Sequence, residues 1–250
     1  MKEIKVKYKT LGLSWTSTAK MPTAQEELTS EQFLLLVQRK TDDVFLHKYL
    51  GLPLRLVRKF DSYERFVLVS KCEEVLSADF VANRFFVKKR GYVAPSARLN
   101  GVTMRHFVFF DTFFFNFANS KKEEELLRFI ASLYLKRNES IQAFDFIKRC
   151  EKIKKDFSHD EMTAIAINYI AMRKWLARAY PSVFSYAKGE ADEGKAAQGP
   201  QNGPDWQSVI DSFASDNIIN LDKYYDMPCL DIFRILNKRI SEYKKQQLKR

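Results

Sequence analysis

Ile4, Val6 and Tyr8 alternate with Lys5 and Lys7, a period of two that predicts a half-exposed strand over 2–8. From Thr29 the period lengthens: Thr29 and Gln32 have capping-box spacing, and Phe33, Leu36 and Val37 follow at helical intervals. Gly51 and Pro53 mark a stop and restart, and Asp61-Ser62 can cap a further helix carrying Tyr63, Phe66, Val67 and Val75. Residues 30–77 therefore read as a helical hairpin or small bundle. Over 84–93, Arg84-Phe85-Phe86-Val87, a basic turn Lys88-Lys89-Arg90-Gly91 and Tyr92-Val93 predict a short β-hairpin.

Seven of the 21 phenylalanines fall between 107 and 117. Their β-propensity favours a strand, but Phe107, Phe110, Phe114 and Phe117 keep the three-and-four spacing of one helix face, with Thr103 available as cap. The spacing predicts a helix over 103–119. Ser120 and Glu123 have capping-box spacing ahead of an apolar stripe of Leu126, Leu127, Ile130, Leu133 and Tyr134. A helix over about 139–154 would carry Ile141, Phe144 and Ile147, and a long one opens at Ser158, with Glu161 three residues on, and ends at Pro181. Past it, Trp206, Val209, Ile210 and Phe213 form one apolar face, and Leu230, Phe233, Leu236, Ile240 and Tyr243 another.

The stretch 187–205 holds four of the eight glycines and two of the seven prolines and almost nothing apolar, so it cannot repay the entropy of ordering and reads as a flexible linker. The expected organisation is a strand plus helical segment over 1–83, joined in one domain with a hairpin and helical core over 84–186, then the linker and a helical module over 206–250. The fold class is mainly α: a helical domain with a small β-hairpin element and a separate C-terminal helical module.

Composition narrows the function only by exclusion. With 46% hydrophobic and 29% charged residues, 250 residues read as a globular chain rather than a disordered or low-complexity one. No apolar run reaches the roughly 18 residues of a membrane helix, and Met1-Lys2-Glu3-Ile4-Lys5 lacks the apolar stretch of a secretory signal, so no membrane association and a cytoplasmic location are expected. Cys72, Cys150 and Cys229 are scattered singly, which predicts reduced, mostly buried thiols and no zinc site. Absence of a phosphate loop, a paired-histidine motif or a nucleophile elbow leaves catalysis, cofactors and metals without a foothold. His47, His106 and His159 sit in separate segments and read as packed or surface residues, and Ser158 reads as a helix cap rather than part of a triad.

The net charge of +11 favours contact with nucleic acid, anionic surfaces or acidic proteins. Lys88, Lys89 and Arg90, flanked by aromatic residues, can bind phosphate while rings stack bases, and Lys244 and Lys245 at the basic C-terminal helix offer a second such surface. Solvated charge and dipole complementation are the bland readings of the same residues. The phenylalanine cluster reads as helical core before docking surface.

The runs RFFVKKRGYVAPSARLNGVTMRHFVFFDTFFFNF, EEELLRFIASLYLKR, AINYIAMRKWLARAYPSVF and DWQSVIDSFASDNIINLDKYYDMPCLDIFRILNKRI, in that order, resemble proteins encoded in tail-gene clusters of phages and prophages of gut bacteria. The closing element, with Met227-Pro228 before the last helix, is similar to the C-terminal part of tail assembly chaperones encoded near the tape-measure gene. The resemblance spans about 84–245. It implies a non-enzymatic virion or tail-assembly role in the host cytoplasm, with retention in the virion left open. The partner would be another phage structural or tape-measure protein, with homo-oligomerisation also open. The resemblance carries no active-site residue. On this reading Leu230, Phe233, Leu236 and Ile240 are the partner-binding face; the alternative is nucleic-acid binding through Lys88, Lys89, Arg90, Lys244 and Lys245.

Overall fold

The computed structural model describes residues 1–10, 13–38, 42–76, 80–139, 141, 145–184, 205–214 and 221–247, without the side chains of 7–10, 13–15, 212 and 213. Among the described residues the fold is mainly α with one small antiparallel hairpin. The chain divides into two compact units, Met1–Phe80 and Val81–Arg250. The expected linker at 187–205 lies outside the described residues except for Asp205.

In the first unit β1 (Lys2–Thr10) pairs with β2 (Leu13–Met21), with Val6 opposite Ser17. The expected strand over 2–8 is present; its partner was not anticipated, although Leu13, Trp15, Ser17, Ala19 and Met21 alternate with polar residues. Four helices follow: α1 (Ser30–Val37), α2 (Asp43–Leu50), α3 (Leu54–Val57) and α4 (Ser62–Glu73). Thr29 with Gln32, and Asp61 with Glu64, form reciprocal capping boxes, so two orphan backbone donors are satisfied at each start. Gly51 ends α2 in the left-handed region (φ 66°), where a side chain would be strained. Phe33, Phe45, Tyr49, Leu46, Val57 and Cys72 fill this unit's core.

The second unit is built on α5 (Met104–Ser120), the helix that the phenylalanine spacing predicts, with the Thr103 side chain accepting from the His106 amide. Around it lie α6 (Glu123–Leu133), α7 (Phe146–Asp156), α8 (His159–Ala179), α9 (Trp206–Ala214), α10 (Leu221–Asp226) and α11 (Cys229–Gln247). Ser158 and Glu161 form the expected capping box on α8. Ser120 does not cap α6: it is the last residue of α5, which closes through Lys121 in a left-handed conformation (φ 56°). Three consecutive acids in the first turn, Glu123, Glu124 and Glu125, favour the start of α6 through the helix dipole instead. α7 begins at Phe146 under an Asp145 cap, seven residues after the expected start, and Phe144 lies outside the described residues.

The hairpin expected over 84–93 is not formed. Lys89 to Tyr92 do make a turn: the Tyr92 amide donates to the Lys89 carbonyl (3.1 Å), and Gly91 takes the positive φ of 81°. The flanks, however, find partners elsewhere. The Asn168 side chain accepts from the Phe86 amide (2.8 Å) and donates to the Arg84 carbonyl (3.0 Å). The Tyr134 hydroxyl donates to the Val87 carbonyl (2.8 Å), and Val93 bridges Leu135. Buried backbone polar groups must be paired, and here side chains of α8 and the end of α6 supply what a second strand would have supplied.

Residues 205–214 and 221–247 belong to the same compact unit as Val81 onward rather than standing apart as a module. Thr103 bridges Pro228, the Met104 amide donates to the Met227 carbonyl (2.8 Å) and the Cys229 amide to the Val102 carbonyl (2.8 Å). Above this seam Phe107 meets Phe233 (ring centroids 4.8 Å), Trp206 (5.2 Å) and Phe184 (6.4 Å), mostly edge to face. Removing the ring by Phe107→Ala should cost about 3–5 kcal/mol in urea unfolding. A loss under about 1 kcal/mol, the scale of a surface change, would show that these rings are not the core of the unit.

Candidate functional site

α5 presents phenylalanines on both sides. Met104, Phe107, Phe110, Asp111 and Phe114 are buried on the face turned to α8, α9 and α11. Phe109 and Phe113 lie on the opposite flank, Phe109 41% exposed, and the Phe113 ring stacks on Phe146 of α7 at 5.1 Å. The phenylalanine run is thus core along one face and surface along the other.

At the centre of the core face sits a carboxylate. Asp111 is fully buried; its Oδ1 accepts from the Tyr169 hydroxyl (2.5 Å) and from Arg173, and its Oδ2 accepts from the Trp206 indole N–H (2.7 Å). Burial, then the Asp111 charge, push the Tyr169 hydroxyl well above the usual tyrosine range, so it remains a neutral donor. Burial opposes the Arg173 charge, but Asp111 outweighs it and raises its pKa. The Arg173 guanidinium also lies over the rings of Phe115 and Phe184. Both carboxylate oxygens are engaged by protein donors, so the cluster acts as a clamp joining α5, α8 and α9.

On the opposite flank α5, α6 and α7 enclose a half-open groove of about 480 Å³. Its floor is apolar, from Phe113, Leu127, Phe146, Ile147 and Cys150, and its rim carries Glu124, Arg128, Glu151 and Lys154. Ile147 is 74% exposed, an unusual position for a branched apolar side chain beside two phenylalanines. Arg128 pairs with Glu125 (2.8 Å) and Lys154 with Glu123 (3.5 Å), so the rim cations are already compensated. Glu124 and Glu151 make no ion pair among the described residues, and the mouth of the groove is left acidic.

The residues expected as a partner-binding face lie elsewhere. Phe233 is fully buried under Phe107, Phe184, Tyr180 and Trp206 of the same chain, Leu236 is nearly buried, and Leu230 and Ile240 are half-buried. Their helical spacing marks an apolar face, and at Phe233 that face is covered by this chain's own α5, α9 and the segment after α8. Of the expected cations, Lys88 and Arg90 are exposed, and Lys244 and Lys245 are exposed near the end of α11. Lys89 is half-buried, paired with Glu161 at 2.7 Å and lying over the Phe157 ring. Phe109, Phe113, Phe146 and Ile147 were missed as a group because they come from two helices; the signal available was a phenylalanine run too long for one helix face to bury.

His106 donates through Nε2 to the Ser132 carbonyl (2.7 Å), and burial, only partly offset by that bond, lowers its pKa. His47 donates through Nδ1 to the Leu52 carbonyl. Among the described residues no group of three His, Cys, Asp or Glu side chains is placed to hold a metal ion, and no helix is long and apolar enough to cross a membrane.

The three cysteines are free. Burial pushes the Cys72 and Cys229 thiols up to about 12. Cys150, half-buried at the groove, is also raised by burial, an effect that nearby Arg128 and Arg149 work against. Since thiolate is the reactive form, the native protein should be alkylated first at Cys150. The rate should still be climbing above pH ~8.5, where an ordinary thiol is half ionised. Mass spectrometry of a labelling time course checks this; comparable labelling of Cys72 or Cys229 without unfolding would show that Cys150 is not the accessible thiol of the groove.

Compared with protein-family models, with curated proteins and with solved structures, the chain matches none.

Proposed function

We propose that the chain acts by contact rather than by catalysis, docking an amphipathic helix of another protein in the groove between α5, α6 and α7. The observation that carries this is the apolar floor left open to solvent, with Ile147 74% exposed beside Phe113 and Phe146. Helices recognise grooves of this kind by inserting an apolar stripe. The acidic mouth at Glu124 and Glu151 selects a stripe flanked by Lys or Arg, because opposite charges steer the encounter and like charges oppose it. Resemblance of residues 84–245 to phage tail-cluster proteins supplies the setting: assembly of a virion or tail in the host cytoplasm, with another phage structural or tape-measure protein as the bound partner.

Because Ile147 is exposed, Ile147→Asp should leave the melting temperature nearly unchanged yet place a charge where an apolar anchor has to dock. Tagged wild-type protein recovered from a phage-producing culture should carry a phage structural protein, identified by mass spectrometry, that Ile147→Asp recovers at least about tenfold less, a difference of 1.4 kcal/mol. Equal recovery by a normally folded Ile147→Asp protein would remove the groove from the interaction, and recovery of no phage protein by either would remove the assembly role.

A further inference from the structure

α7 has a second flank, turned away from the groove. At about 100° per residue, the buried Arg149 and Ile153 mark its inner line; Cys150, Lys154 and Ile147 turn to the groove, and Lys148, Lys152 and Lys155 to the other side. Three ties draw distant segments against that side. Arg149 donates to the Tyr134 carbonyl (2.6 Å), pairs with Glu139 (2.8 Å) and lies over the Tyr92 ring. The Tyr92 hydroxyl donates to Asp156 (2.6 Å), and Val93 and Leu135 exchange backbone hydrogen bonds of 2.7 and 3.2 Å. The exposed cations Arg90, Lys136, Arg137, Lys152 and Lys155 are thereby collected from three parts of the chain. Several acids of this region are already engaged, Glu139 by Arg149, Asp156 by Tyr92 and Glu161 by Lys89. Lys152 lies near enough to Lys136 to lower its pKa, first as a hydrogen-bonding neighbour and then as a like charge. Cations gathered on one face repel, and a bound polyanion relieves that repulsion.

We propose that this face, centred on Lys136 and Lys152 and flanked by Arg90, Arg137 and Lys155, binds the phosphate backbone of a nucleic acid. Cations one helical turn apart on α7 are spaced by roughly 5.4 Å, which suits a polymer of phosphates better than a single one. An anionic bilayer holds a basic surface firmly only with a second, hydrophobic signal. A duplex needs none, because each neutralised phosphate releases condensed counterions. The site lies on the opposite flank of α7 from the groove, so either assignment can fail without the other.

The test measures fluorescence anisotropy of the full chain on a labelled duplex of about 20 base pairs across about 50–200 mM salt. One variant carries Arg90→Gln, Lys136→Gln, Lys152→Gln and Lys155→Gln; a second, of equal net charge, carries Lys223→Gln, Lys238→Gln, Lys244→Gln and Lys245→Gln. The first should bind at least tenfold more weakly and show a shallower dependence of log K on log salt, by up to about 0.9 for each phosphate that is no longer neutralised. The second should stay within about threefold of the wild type, because only the shared net charge has changed. Should the fourfold face variant fail to fold, Lys152→Gln alone is expected to flatten the slope by about 0.9. Equal weakening in the two fourfold variants, larger weakening in the second, or no duplex binding at about 50 mM salt would overturn the assignment. So would phosphatidylserine vesicles bound in a way that only the face variant loses while duplex binding is unchanged, which assigns the face to a membrane.

Discussion

A single buried charge organises the larger unit. A carboxylate in an apolar interior is tolerated only when it is paired and hydrogen-bonded, and Asp111 is buried with Phe107, Phe110 and Phe114 on the core face of α5. Its requirement is met by Tyr169 and Arg173 from α8 and by Trp206 from α9. Each donor has one geometry that satisfies it, so the clamp sets the rotation of α5 about its axis as well as its position against α8. With Asp111 turned inward, Phe107, Phe110 and Phe114 must turn inward too, and Phe109 and Phe113 are left to face α7. The apolar groove is thus a geometric consequence of the polar clamp on the far side of the same helix. A helix with phenylalanine on nearly every side and no inward polar group would have had no such preferred rotation.

The same logic governs the extended segment after Val81. Its backbone groups are buried beside α8 without a neighbouring strand, and Asn168, itself fully buried, pairs with an amide and a carbonyl two residues apart, as a strand residue would. Tyr134, at the end of α6, closes the Val87 carbonyl three residues after that of Arg84. Side-chain amides and hydroxyls can stand in for a strand where only a few groups need partners, and a short segment is all that has to be held here.

These two arrangements mark where the sequence could be read and where it could not. Thr29, Asp61, Thr103 and Ser158 announced their helices because a cap is a local device, decided within four residues. The helical form of α5, and the burial of Phe107, Phe110 and Phe114 along one face, followed from the three-and-four spacing for the same reason. Local signals failed where a distant group competed. Arg84 to Val93 has the propensity of a hairpin, but Asn168 and Leu135 offered its backbone better partners. Ser120 has capping spacing, yet α5 runs on through it. Leu230, Phe233 and Leu236 were legible as an apolar face, and nothing within α11 says that Phe107, more than a hundred residues earlier, packs on Phe233. The surface that remains uncovered is therefore the part of the site least visible from sequence, since it is whatever the core has not used.

Charge shows the same sorting. A net +11 says only that cations outnumber acids by that margin over the chain; α7 shows how they are distributed. Lys154, on the groove side, is compensated by Glu123, and Lys148 by Asp145 at the cap of the same helix. Arg149 is buried and held by Glu139 and the Tyr134 carbonyl. Lys152, by contrast, has another cation, Lys136, for its neighbour and lowers that residue's pKa. Surface pairs of this kind contribute little to stability, so their value lies less in holding α7 in place than in deciding the sign of each flank. An acidic-mouthed apolar groove and a cationic flank can share one eleven-residue helix because Glu123 compensates Lys154 on the first, while Lys152 and Lys155 on the second have no ion pair among the described residues.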